Sequence, residues 1–100
     1  MAQVSPREII SNSEDFMYYT YVLKSKKDGL HYTGFTKNLK LRFEKHNKGL
    51  VDSTKHRLPL ELIYYEACVN QDDATRREKY LKTYYGKMFL KKRLKSYFTG

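Results

Sequence analysis

Tyr18-Tyr19-Thr20-Tyr21-Val22-Leu23 and His31-Tyr32-Thr33-Gly34 are two short aromatic runs joined through Ser25-Lys26-Lys27-Asp28-Gly29, and reading them together decides the fold. Aromatic and β-branched residues in alternation favour strands. The Asp28-Gly29 pair supplies the positive backbone dihedral that a tight reversal needs. The stretch therefore predicts a β-hairpin. Alternation places Tyr19, Tyr21 and Leu23 on one face of the first strand and Tyr18, Thr20 and Val22 on the other. On the second strand Tyr32 and Gly34 share a face, opposite His31, Thr33 and Phe35.

Past Phe35 the apolar period changes from two to about 3.6, which predicts a helix over Asn38 to Asn47, capped by Thr36 or Asn38 and followed by Gly49. Leu39, Phe43, His46 and Leu50 fall on one stripe of that helix. Arg42 lies along the stripe's edge, and its spacing of four from His46 makes the two neighbours. Val51 to Arg57 is a polar, basic loop closed by Pro59. Leu60 to Val69 reads as a third strand covered on both sides or nearly so, with Glu61 and Glu66 as edge or solvent charges and Cys68 buried.

Asn70-Gln71-Asp72-Asp73 starts a second helix that runs to about Tyr84 and ends before Gly86. A last helix spans Lys87 to Phe98, with Leu90, Leu94 and Tyr97 inward. The expected architecture is α+β, a small, mainly antiparallel three-stranded sheet flanked by helices in the order β-β-α-β-α-α. Residues 1–16 read as a flexible extension and 17–98 as the folded domain.

One residue on the second helix stands out. Glu78 lies on the stripe of Ala74, Leu81 and Tyr85, so it points inward. A carboxylate there is costly unless it is paired or bound to a cation. On the residues alone an ion pair with Arg77 or Arg42 and a metal ligand are level.

A Tyr-x-Tyr strand, a turn, Tyr32-Thr33-Gly34, then Arg42, His46 and a downstream helical Glu78 resemble the GIY-YIG nuclease domain. Tyr19-Thr20-Tyr21 stands for the first motif and Tyr32-Thr33-Gly34 for the second, with Gly34 as its structural turn. The resemblance covers about Met17 to Tyr97 and is strongest to the small single-domain, UPF0213-like branch related to the nuclease module of the repair excinuclease. Phe35 departs from the pattern, since many members carry a lysine there.

The resemblance implies a metal-dependent endonuclease that hydrolyses DNA phosphodiester bonds, with Tyr21, Tyr32, Arg42, His46 and Glu78 as its catalytic set. It tips Glu78 toward holding Mg²⁺ or Mn²⁺, a cation that keeps several waters and takes substrate oxygens as ligands. Arg42 offers a planar charged fork to a phosphate oxygen. A free phenol has a pKa of about 10, so a tyrosine acting as base needs cationic neighbours. Tyr32 and Tyr21 are both candidates for that base, with His46 as a proton relay.

Twenty Lys and Arg against eleven Asp and Glu give a formal charge of +9, which favours a polyanionic partner. Lys37, Lys55, Arg57, Lys91 and Lys92 are candidate phosphate contacts. No apolar run is long enough to span a membrane, and Met1 to Asp15 lacks a hydrophobic leader, so a cytoplasmic protein without a membrane partner is expected. The lone Cys68 excludes an intrachain disulfide, and the absence of paired Cys or clustered His argues against zinc. With no appended sequence-reading module, selection of branched or damaged DNA by shape is the expectation, as in repair. RNA stays open as a substrate. The alternatives are a nucleic-acid-binding module that keeps the basic surface without cleaving, and a protein-interaction or RNA-handling adaptor.

Overall fold

The structure is a computed structural model that describes residues 17–100. The extension expected over 1–16 lies outside the described residues. The elements follow in the order β1 (Tyr18–Ser25), β2 (His31–Thr36), α1 (Leu39–Asn47), β3 (Leu60–Cys68), α2 (Gln71–Leu81), α3 (Tyr84–Arg93) and α4 (Lys95–Thr99). The strands form one antiparallel sheet ordered β2-β1-β3, which realises the expected α+β architecture. Among the described residues no helix is long and apolar enough to cross a membrane.

The hairpin forms as its turn chemistry predicts. Gly29 takes φ +74 and donates to the Ser25 carbonyl at 2.9 Å. Ser25 Oγ, fully buried, accepts from the backbone of Lys27 and Asp28 and donates to the Arg57 carbonyl at 2.6 Å. The basic loop between α1 and β3 is thereby fastened to the turn. Arg57 Nε adds an ion pair to Asp28 at 3.0 Å.

Because β1 is the middle strand, its alternation sorts the core into two layers. Tyr19, Tyr21 and Leu23 pack with Leu39, Phe43, Leu60 and Tyr32 on the α1 side. Val22 packs with Leu81, Leu90 and Phe89 on the side of α2 and α3. Thr20, on that second side, donates from Oγ1 to the Ala74 carbonyl at 2.8 Å and ties α2 to the sheet.

Several expectations are corrected. β3 takes one edge of the sheet, and past Leu60 its side chains are partly or fully exposed rather than covered on both faces. Glu66 and Glu61 are engaged rather than simply solvated: Glu66 pairs with Arg77 at 2.9 Å, and Glu61 accepts from the Tyr97 hydroxyl at 2.8 Å. Cys68 is only half-buried, and its thiol donates to the Asn70 carbonyl. The second helix stops at Leu81, three residues before the expected end at about Tyr84, and α3 starts at Tyr84 and contains Gly86. Thr83 is the reason: its hydroxyl donates to the Tyr80 carbonyl at 2.6 Å and accepts from the Gly86 amide at 3.1 Å, capping the new helix. A Cβ at Gly86 would run into the Tyr80 carbonyl, so only glycine allows the two helices to meet there. Tyr85 and Leu50, expected on apolar stripes, are 73% and 67% exposed because each follows the end of its helix's buried face. The single expected last helix is also split, with α3 ending at Arg93 and α4 starting at Lys95.

Candidate active site

Tyr21 stands directly opposite Gly34 in the β1–β2 register, and a Cβ on Gly34 would strike the Tyr21 ring at Cζ and Oη. Gly34, expected as a turn, sits instead inside β2, and positive φ is confined to Gly29 and Gly49 among the described residues. Its use is space rather than backbone freedom. The missing side chain lets the Tyr21 ring lie across β2 toward the free edge of the sheet.

At that edge α1 delivers two groups to the phenol, as their spacing of four requires. Tyr21 Oη lies 2.9 Å from His46 Nε2 and accepts from Arg42 Nε at 3.4 Å. His46 Nδ1 lies 2.7 Å from Thr54 Oγ1. Tyr21, His46 and Thr54 are all at most 1% exposed. Tyr21, His46 and Thr54 thus form one hydrogen-bonded chain through both imidazole nitrogens, its direction set by the tautomer. The Tyr32 ring packs edge-on against His46 at 5.1 Å and lies 6.3 Å from the Tyr21 ring. Tyr32 itself is half-buried, whereas Tyr21 is closed off from solvent.

The electrostatics separate these groups. Burial pushes the Tyr21 hydroxyl up to about 12; the Arg42 hydrogen bond opposes this, while Tyr32 and Glu78 add to the rise. Burial and then the Arg42 charge bring His46 down to about 4, so it is neutral at neutral pH. Arg42 is held charged, chiefly by its hydrogen bond to Tyr21 and against its own desolvation.

Glu78 is not hydrogen-bonded to this cluster. Its carboxylate pairs with Lys82 at 3.1 Å, one turn along α2, rather than with Arg77 or Arg42, and its side chain is 22% exposed. Arg77 is taken by Glu66 and lies over the rings of both Tyr80 and Phe89, at 4.9 and 4.5 Å from their centres. Although α2 lies in the other layer, the Glu78 charge bears on the Tyr21 hydroxyl. Phenols, guanidinium and imidazole thus form one contiguous group, and the carboxylate stands outside its contacts, held by Lys82.

Among the described residues no three His, Cys, Asp or Glu side chains come together as a metal-ligand set. A cation that keeps most of its waters and uses substrate oxygens needs only one or two carboxylates, and a partly exposed Glu78 beside the cluster fits that demand.

The expected phosphate contacts divide. Lys55 is paired with Asp52 at 3.3 Å, Arg57 with Asp28, and Lys37 lies over the Tyr18 ring at 5.7 Å. Lys91 lines a groove beside β2, whereas Lys92 is exposed outside it. Sequence reasoning missed Thr54, Lys82 and Lys87. Thr54 reaches His46 only through the path of a loop, which no local pattern encodes. Lys82 was readable as the i+4 partner of Glu78.

The model of the GIY-YIG catalytic domain family matches residues 17–93. A UPF0213 protein of Clostridium perfringens (strain 13 / Type A) is 43% identical over 67 residues, covering 66% of this chain and 71% of that protein. A UPF0213 protein of Staphylococcus aureus (strain Mu3 / ATCC 700698) is 40% identical over 68 residues, covering 67% and 82% respectively. Among solved structures, the solution NMR structure of a UPF0213 protein from Bacillus halodurans is similar, with a TM-score of 0.47 and 32% identity over 74% of this chain and 81% of that one. Both the domain match and the relatives cover most of this sequence, and on them the chain belongs to the GIY-YIG family, within its UPF0213 group.

Proposed function

We propose that the protein is a divalent-metal-dependent endonuclease that hydrolyses DNA phosphodiester bonds and selects its substrate by shape. The family is one of nucleases, generally metal-dependent, and its substrates are nucleic acids. The observation that carries the proposal for this chain is the Tyr21 hydroxyl. Arg42 and His46 contact it, Tyr32 packs nearby, and the Glu78 charge acts on it.

In this mechanism Glu78 would hold Mg²⁺ or Mn²⁺, and the ion would supply positive charge for the scissile phosphate and the departing oxygen. Arg42 keeps its charge and sets its fork on a nonbridging oxygen as negative charge builds there. Tyr32, half-buried beside His46, acts as a phenolate: its own proton passes first to solvent, and the phenolate oxygen then takes the proton from the attacking water. Tyr21 is the poorer base, because burial holds its proton on up to about 12. It serves instead to fix Arg42 and to hand hydrogen-bond order to His46. His46 is neutral and anchored by Thr54, so it keeps the Tyr21 phenol oriented. Cytoplasmic DNA repair, with branched or damaged DNA as substrate, is the setting we propose for this activity.

The test is nicking of supercoiled plasmid and branched DNA by purified protein with Mg²⁺, with chelator, and with Glu78→Ala. Metal-dependent nicking should fall by about a hundredfold or more in the variant, as loss of a main electrostatic stabiliser does. Equal nicking by wild type and variant would end the proposal.

A further inference from the structure

Beside the cluster, the free edge of β2 forms one wall of a groove of about 790 Å³. Its opposite wall comes from α2, α3 and α4. Leu30, Leu90 and Phe98 supply apolar surface, and the Phe98 ring stacks on His31 with centres 5.5 Å apart and planes at 28°. Lys82, Lys87 and Lys91 supply the charge, and no acidic residue among those described lines the groove. Among the described residues Lys87 and Lys91 have no acidic partner, and Lys82 has Glu78 alone. Tyr32 lines the groove as well, so the groove reaches the candidate site.

We propose that this groove binds an unpaired, single-stranded segment of nucleic acid next to the bond to be cut. The inference rests on the nuclease reading for its substrate class and adds which form of nucleic acid is held. Charge complementarity selects a polyanion: three lysines and no described carboxylate face the space. The apolar wall then distinguishes single strand from duplex. A duplex stacks its bases internally and offers phosphates, which would strand Leu30, Leu90 and Phe98 against polar groups. A single strand carries π-faces that stack on an aromatic ring while its backbone follows the lysines. Lys87 and Lys91 are four apart on α3 and so present successive charges along one helix face. A phosphate that engages Lys82 competes with Glu78 for it and frees the carboxylate where the strand arrives.

The experiment is fluorescence anisotropy of a labelled oligothymidine and of a duplex of equal length, with chelator present so that no cleavage intervenes. The single strand should bind about tenfold or more tightly than the duplex. Phe98→Ala should cost the single strand about tenfold, within the range of one base–aromatic stack, and leave the salt slope unchanged. Leu30→Ser, at a position 63% exposed and so harmless to folding, should weaken the single strand and spare the duplex. Lys87→Gln with Lys91→Gln should lower the salt slope by about 1.4, since each single-strand phosphate contact contributes about 0.7. Equal affinity for the two forms, unchanged binding by Leu30→Ser, or equal competition by polyglutamate would each overturn the proposal. Because binding is read without metal, an inactive nuclease leaves this result standing, and a failed groove leaves the nicking assay to be judged alone.

Discussion

His46 is closed off on both ring nitrogens, by Tyr21 and by Thr54, and its folded pKa of about 4 lies well below the ordinary 6.5. The unfolded chain therefore takes up a proton at this residue as pH falls below about 6.5, while the folded chain resists until about 4. Stability is present in full above 6.5 and is lost as pH falls through this window, by about 3 kcal/mol at about 1.4 kcal/mol per pH unit. Urea unfolding of wild type and His46→Gln across that range measures the effect, and the variant should show a flatter profile. At this scale the sequence was informative where local geometry decides. Spacing of four joined Arg42 to His46, and alternation grouped Tyr32 with Gly34, while the register that sets Tyr21 opposite Gly34 brings the two phenols to one side. It was silent where a loop returns, as at Thr54. For Glu78 it gave the inward lean but not the partner, because Arg77 turns to Glu66, 11 positions back on β3.

Among the elements, the hairpin and α1 were legible because their signals are local: Asp28-Gly29 for the turn, Asn38 for the cap and Gly49 at φ +74 for the exit. The junction of α2 and α3 was not, since helical spacing continues smoothly through Tyr84 and Tyr85 while a side-chain cap breaks it. Thr83→Ala removes that cap and should destabilise the protein by about 1 kcal/mol. A thermal melt of the variant checks this, and an unchanged midpoint would mean that the packing of Gly86 on Tyr80 holds the junction alone. The strand order was not legible for a related reason: β1 has the hydrogen-bonding partners on both sides and Leu60 to Cys68 takes an edge, and pairing order is a property no single strand carries.

Across the whole molecule, the formal charge of +9 on 100 residues means that lysines and arginines outnumber their partners. Self-repulsion of that kind weakens the compact state and is relieved by added salt. The melting temperature should rise between low and moderate ionic strength, while affinity for nucleic acid falls over the same interval; a melting temperature that drops with salt would show that the ion pairs outweigh the excess. The position of β1 has a consequence for how the protein is made. The strand emerges from the ribosome before either partner, pairs early with β2, and must wait for Cys68 to appear before its other side is closed. Until then Tyr19, Tyr21 and Leu23 lie in a half-built sheet, so translation that pauses between α1 and β3 leaves a nascent chain with its stickiest surface bare to chaperones and to neighbouring chains on the same message.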